Sequence, residues 1–176
     1  RKHTGERSYW SQANNSTCND LITETISLTA DQSSELSFWT AYDIETSSDG
    51  GVVEITTDNN LWHAPSLNPD YPTVFNDSND ACSYDANTPS FSGTDLTWKK
   101  HTMDLSSYQG KNIKVRWNYS TNESIVNEGW YLDDLQITHT QTAAACTTVS
   151  IQPGLWYDKS KNGHGFAIEP VGRDNL

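Results

Sequence analysis

The stretch Glu128-Gly129-Trp130-Tyr131-Leu132-Asp133-Asp134-Leu135-Gln136-Ile137 alternates aromatic and aliphatic residues with polar ones, the pattern of a half-buried β-strand. Two adjacent carboxylates, Asp133 and Asp134, sit in its middle. Successive side chains of a strand point to opposite faces, so one of the pair is expected on the packed side or its rim, where a charge is costly unless it is paired. Such a pair calls for a metal ion, a hydrogen-bond network or a ligand. The preceding strand is cleaner. Ile113, Val115, Trp117 and Tyr119 fall on one face and Lys114, Arg116 and Asn118 on the other, so the first four are expected in the core.

The same period runs through most of the chain. Ser8 to Trp10, Leu21 to Leu28, Glu35 to Asp43 and Thr97 to Leu105 read as strands, and no long amphipathic helical pattern occurs. Leu36, Phe38 and Tyr42 share one face, with Trp39, Trp117 and Trp130 expected in the core. Asp49-Gly50-Gly51 reads as a turn leading into Val52 to Thr57, and Asp58-Asn59-Asn60 then closes a hairpin with Leu61-Trp62. From Ala64 to Gly93 the alternation is lost in Pro, Asn, Asp and Ser; loops of this length are usually functional or disordered. Short strands between regularly spaced turn signals predict an all-β protein: a two-layer antiparallel jelly-roll β-sandwich over residues 6–140. After the Thr140 to Ala145 linker, Gly154-Leu155-Trp156-Tyr157 and Gly163-His164-Gly165-Phe166 predict a hairpin. Residues 141–176 are then a linker and the start of a second β module, too short to bury its own core.

Composition narrows the function. The 176 residues carry 11 Lys and Arg against 23 Asp and Glu, a net charge of −12, and mean hydropathy is −0.71. Nucleic acid is excluded as an expected partner, because phosphate binding needs clustered Lys and Arg. No stretch approaches the ~18 apolar residues of a membrane span, so membrane insertion is not expected. The acidic balance suits an extracellular, calcium-containing setting, or plain solubility. The chain starts at Arg1 without a secretory signal and reads as a processed piece of a larger protein, which leaves secretion open.

Leu36-Ser37-Phe38-Trp39, Tyr42-Asp43-Ile44-Glu45, the run from Asp49 to Asp58, Phe91-Ser92-Gly93, the run from Asp104 to Lys111, Val115-Arg116-Trp117 and Gly129 to Leu135 together resemble the MAM-like jelly-roll modules appended to secreted bacterial metallopeptidases of the immune-inhibitor-A type and to other exported bacterial proteins. The resemblance covers most of residues 9–138. It implies a non-catalytic accessory or binding module of an exported bacterial protein, attached to a peptidase or other hydrolase. Its partners are then the neighbouring domains of the parent chain and a polysaccharide or protein substrate. The HExxH motif of the peptidases is absent from the sequence.

Three expectations concern sites. The cysteines are Cys18, Cys82 and Cys146, at spacings that match neither a zinc nor a CxxC redox motif. Cys18 and Cys82 both fall in the first module and are expected to form a disulfide if the module is exported; three free thiols is the other reading. Asp43, Glu45 and Asp49 lie within seven residues, and with Asp133 and Asp134 they form the candidate ligand set for a structural calcium ion, which takes six to eight oxygens. The resemblance is consistent with a metal near the Asp pair. Exposed aromatics, Trp62, Tyr71 and Trp98 with Trp10, are candidate stacking platforms of a carbohydrate-binding module. The enzyme alternative is a glycosidase-like jelly roll using paired carboxylates such as Asp133 and Glu45.

Overall fold

In the computed structural model the strand Asn112–Ser120 buries Ile113, Val115, Trp117 and Tyr119, none more than 3% exposed, so the predicted register holds. Residues 1–141 are described in full; beyond them only the backbones of Gly154–Tyr157 and Gly165–Ile168 are described, and these two strands pair antiparallel. The second strand group belongs to a separate compact unit, residues 143–176. Cys146 and the linker beyond Gln141 lie outside the described residues.

Two antiparallel sheets make the body. One contains β1 (Tyr9–Trp10), β10 (Gly129–Gln141), β4 (Gln32–Ile44) and β8 (Gly93–Asp104), in that order. The other is centred on β9 (Asn112–Ser120), which pairs with β2 (Cys18–Ile22) and β3 (Ile26–Ser27) and also with β5 (Gly50–Thr56). From β4 to β10 the long strands alternate between the sheets. Each crossing therefore lays apolar residues of one layer over those of the other, and Phe38, Tyr42, Ile55, Met103, Trp117, Trp130 and Leu132 join in one core. Aromatic contacts reinforce it: Phe38 meets Trp117 edge-on at 5.7 Å.

Four readings of the sequence change. Gly50 and Gly51 are strand residues, not turn residues; the turn lies at Glu45 to Asp49, closed by Asp49 N–H to Glu45 O at 3.2 Å. They are glycines because rings occupy the space a side chain would need. A Cβ on Gly51 would lie 2.4 Å from Trp130, and one on Gly50 2.7 Å from Phe75. The segment after Trp62 is no open loop. It holds the short strands β6 (Thr73–Val74) and β7 (Pro89–Ser90) and delivers Leu67, Phe75, Tyr84 and Phe91 to buried positions. Trp39 is half-buried on the outer face of its sheet, under His3, and is not part of the core. The Leu21 to Leu28 strand is two pieces, β2 and β3, separated at Thr23 to Thr25.

The acidic pair of β10 is resolved by a β-bulge. The pairing with β4 shifts register between Asp133 and Gln136, and Asp134 has φ 48°. A bulge breaks strict alternation, so both carboxylates reach the same outer face, where both contact residues 3 and 4. Neither enters the core.

Candidate functional site

The two sheets part along one side, between the edge strands β1 and β2. The opening is a cleft of about 400 Å³, within the size range of small-ligand sites. Its floor is Trp117, Trp130 and Leu132, its walls include Asn19, Asp20 and Gln12, and Tyr9 and Trp10 stand at the rim, 56% and 51% exposed. Tyr9 pairs with Leu132 and Trp10 with Tyr131. Trp10 is held in place by Nε1–H donating to Glu128 O at 2.7 Å and by a stack on Tyr131. Trp130 Nε1–H donates to Thr40 Oγ1 at 2.7 Å. Trp117, on the same floor, has no acceptor among the described residues for its buried Nε1–H. Among the described residues the outer edges of β1 and β2 have no neighbour in either sheet, so both offer backbone groups to an added strand.

Cys18 and Cys82 form a disulfide with their Cα atoms 5.1 Å apart. The bond ties the segment carrying Cys82 to β2 beside the cleft. That segment also covers the outer face of β9. Arg116 Nε donates to Glu54 Oε2 at 2.7 Å, Tyr84 Oη donates to the same oxygen at 2.8 Å, and Asn118 Nδ2 donates to Tyr84 Oη. Glu54 is 6% exposed, a buried charge sustained by its partners. Burial and the neighbouring Glu54 charge push the Tyr84 hydroxyl pKa up.

The three aromatics expected to bind a ligand are not brought together. Tyr71 is turned into the fold: its hydroxyl donates to Val53 O at 2.9 Å and accepts from Val53 N–H at 3.2 Å, and its ring packs against Phe91. Trp62 carries the Arg116 guanidinium 4.3 Å from its ring centroid, a cation–π contact. Trp98 is half-buried on the opposite sheet, 5.9 Å from His3. Trp10 is the one aromatic of the expected set that reaches the cleft. The remaining cleft residues come from segments far apart in the chain, and none carries a motif.

The five acidic residues fall into two groups. Asp43 pairs with Gly129 and Asp133 with Trp39, about 13 Å apart along the strands. Asp133 and Asp134 bond the N-terminal segment. Around the Glu45–Asp49 turn, Asp49 Oδ1 accepts from Asn122 N–H at 2.7 Å, and Glu45 Oε2 accepts from Asn122 Nδ2 and Ser124 Oγ. Asp43 accepts from Thr94 Oγ1 at 2.7 Å. Asp49 is 2% exposed. Burial, reinforced by the Glu45 charge and opposed by the Asn122 N–H, pushes its carboxyl pKa up to about 6. Among the described residues no group of three or more His, Cys, Asp or Glu is placed to hold a metal ion. The catalytic pair Asp133 and Glu45 is also not formed. Glu45 lies six positions along the chain from Trp39, the partner of Asp133, about 20 Å of extended strand, against about 5–10 Å for glycosidase carboxylates.

Comparison with known proteins agrees with this architecture. A stretch of 48 residues, 27% of this chain, is 42% identical to Bacillopeptidase F of Bacillus subtilis (strain 168). The match spans 3% of that protein's length, so this chain corresponds to a small part of it. The model of the family described as "Immune inhibitor A-like, MAM domain" matches residues 1–145. The chain therefore belongs to the immune inhibitor A-like MAM domain family.

Proposed function

We propose that this chain is a non-catalytic accessory module of an exported bacterial peptidase, and that its cleft holds an extended segment of that enzyme's polypeptide substrate. The family match over residues 1–145 carries the reading, supported by a relative whose name is that of a peptidase. The cleft supports the substrate class. Two unpaired strand edges flank it, an extended polypeptide satisfies such edges by strand addition, and Tyr9 offers an exposed ring at the entrance. The Cys18–Cys82 disulfide suits an oxidising, extracellular location. A polysaccharide is the second reading, favoured by aromatic rings beside Gln12, Asn19 and Asp20. Indole fluorescence of the isolated chain, titrated with a reduced and alkylated unfolded protein and with soluble glucan oligosaccharides, separates the two. Saturable binding of the unfolded protein, weakened about tenfold or more by Tyr9→Ala, is expected. Binding of the oligosaccharide alone transfers the cleft to sugars, and binding of neither removes the ligand reading.

Within the same reading, a structural calcium ion is held at the Glu45–Asp49 turn. A buried carboxylate repelled by a second one is the environment a cation relieves. Glu45 and Asp49 would supply the charge, with carbonyl and amide oxygens completing the shell. Calcium at a hundredfold excess over its dissociation constant should add about 2.7 kcal/mol, visible as a higher Tm than in chelator, and Asp49→Asn should abolish the gain. In chelator the contribution of Asp49 to the pH dependence has a fixed sign. Asp49 in the fold titrates near 6, above the ~3.9 of an unfolded aspartate. The native state thus takes up its proton first, so the Asp49 contribution to stability rises as pH falls from 7 towards 4; it is read as the difference between the native chain and Asp49→Asn, because His101, whose pKa burial lowers, acts in the opposite direction. Equal melts with and without calcium would remove the ion.

A further inference from the structure

Several outward positions of the β10–β4–β8 sheet are buried although they point away from the core. Tyr131 and Asp133 are 9% and 8% exposed, and Ala41 and Ser37 are 0% and 3%. They alternate with the inward Trp130, Leu132, Phe38 and Leu36. The segment Arg1 to Ser8, which forms no strand, crosses this face over Trp39 and Asp133. Arg1 Nε and Nη2 donate to the two oxygens of Glu128 at 2.7 and 2.9 Å. The His3 ring stacks on Trp39 with centroids 3.8 Å apart, and its Nδ1 lies 2.7 Å from Asp134 Oδ2. The backbone N–H groups of His3 and Thr4 both donate to Asp133 Oδ2, and the Thr4 hydroxyl donates to Asp134.

We propose that this face is a docking groove for a basic, extended peptide, and that the chain's own Arg1–Ser8 fills it as a displaceable ligand. The recognition elements are complementary and ordered. Glu128 reads a guanidinium by a bidentate pair, Trp39 reads a flat ring two residues later, and Asp133 with Asp134, aligned by the bulge, reads two successive backbone N–H groups and a hydroxyl. Residues 1–8 carry Arg1, Lys2 and Arg7 against a single acid, Glu6, and the charged groups they meet are Glu128, Asp133 and Asp134, with the base Lys100 beside Trp39 on this part of the face. The side chains of these contacts are partly exposed, Arg1 and Glu128 by 40% and 42% and His3 and Asp134 by 25% and 35%. Contacts of that kind are individually weak, so the segment can leave without unfolding the sandwich. Its departure strips Asp133 of two donors and uncovers Trp39, which leaves a groove ready for a peptide of the same chemistry.

The test compares the intact chain with one lacking residues 1–8, each titrated with an N-acetylated peptide of sequence RKHTGERS and a shuffled peptide of equal composition. The truncated chain should bind the cognate peptide saturably, with a change in indole fluorescence. It should bind the shuffled peptide at least tenfold more weakly, and Asp133→Asn with Asp134→Asn should abolish binding. The intact chain should bind at least tenfold more weakly than the truncated one. Equal binding of the two peptides, or none by a folded truncated chain, overturns the proposal. If the truncated chain does not fold, amide hydrogen exchange on the intact chain decides. The His3 and Thr4 amides should be protected, and should lose protection in Asp133→Asn while β9 amides keep theirs; exchange of His3 and Thr4 at the rate of a free peptide overturns it.

Discussion

Phe91→Ala should lower the unfolding free energy by about 3–5 kcal/mol, the range for removing a buried aromatic ring, and the Tm by roughly 10 °C. Phe91 is fully buried, and its ring meets those of Phe38, Tyr42, Tyr71, His101 and Trp130, with centroids 4.9 to 6.2 Å away. Its backbone exchanges two hydrogen bonds with Gly51, so it anchors the segment after Trp62 to β5. Trp130 lies under Gly51 on the other side. The ring therefore stands where both sheets and the long connection meet, and the rings of Phe38, Tyr42 and Trp130 around it are themselves buried. Urea denaturation followed by intrinsic fluorescence gives the number. A loss below 1 kcal/mol would mean that the connection between Trp62 and Gly93 is not part of the cooperative unit.

Loss of the disulfide is the second large effect. Replacing Cys18 and Cys82 by serine should cost about 4 kcal/mol, the chain-entropy value for a loop of this length, since the two residues are 64 apart in sequence. The structure adds a local consequence. Cys82 N–H donates to Ser120 Oγ at 3.1 Å, Ser120 Oγ donates to Asn79 Oδ1, and Asn79 Nδ2 donates to Ser48 O at 2.8 Å. Freed of its tether, this segment, Tyr84 included, should loosen over Glu54 and Asn118 before the core does. Hydrogen exchange of the double-serine variant should thus show faster exchange at Asn79, Cys82→Ser and Tyr84 than at Val115. Uniform acceleration at all four positions would contradict a local role for the bond.

The sequence was most legible where one face of a strand is apolar. The alternation of Ile113 to Tyr119 fixed which side of β9 is buried, because a slip of one residue would exchange every side chain between faces. It was least legible where burial has no period. Phe75, Tyr84 and Phe91 sit in or beside two-residue strands and turns, too short for alternation to show. Asp133 and Asp134 misled for a related reason: a bulge places on one face two side chains that a regular strand would send to opposite faces. The glycines before Val52 read as a turn because a missing side chain gives the same letter whether the cause is backbone conformation or a neighbouring ring. The cleft could be read only in part. Trp10 stood out as an aromatic, but Tyr9, Asn19, Asp20 and Trp117 come together only because β1 and β2 are edges of different sheets. Trp62 and Tyr71 looked available because neither Arg116 nor the backbone of Val53 is near them in the chain.

The proposed accessory role is tested most directly on the full-length protein that carries this chain, assayed for peptidase activity with and without residues 1–141. On a short chromogenic peptide, too small to reach beyond the catalytic domain, kcat/KM should stay within about twofold. On an unfolded protein at a concentration below KM, the rate should fall about tenfold or more, through KM, because a second attachment point is lost. Loss of turnover on the short peptide would contradict the account, since the module would then be needed for the chemistry itself, and so would unchanged rates on both substrates.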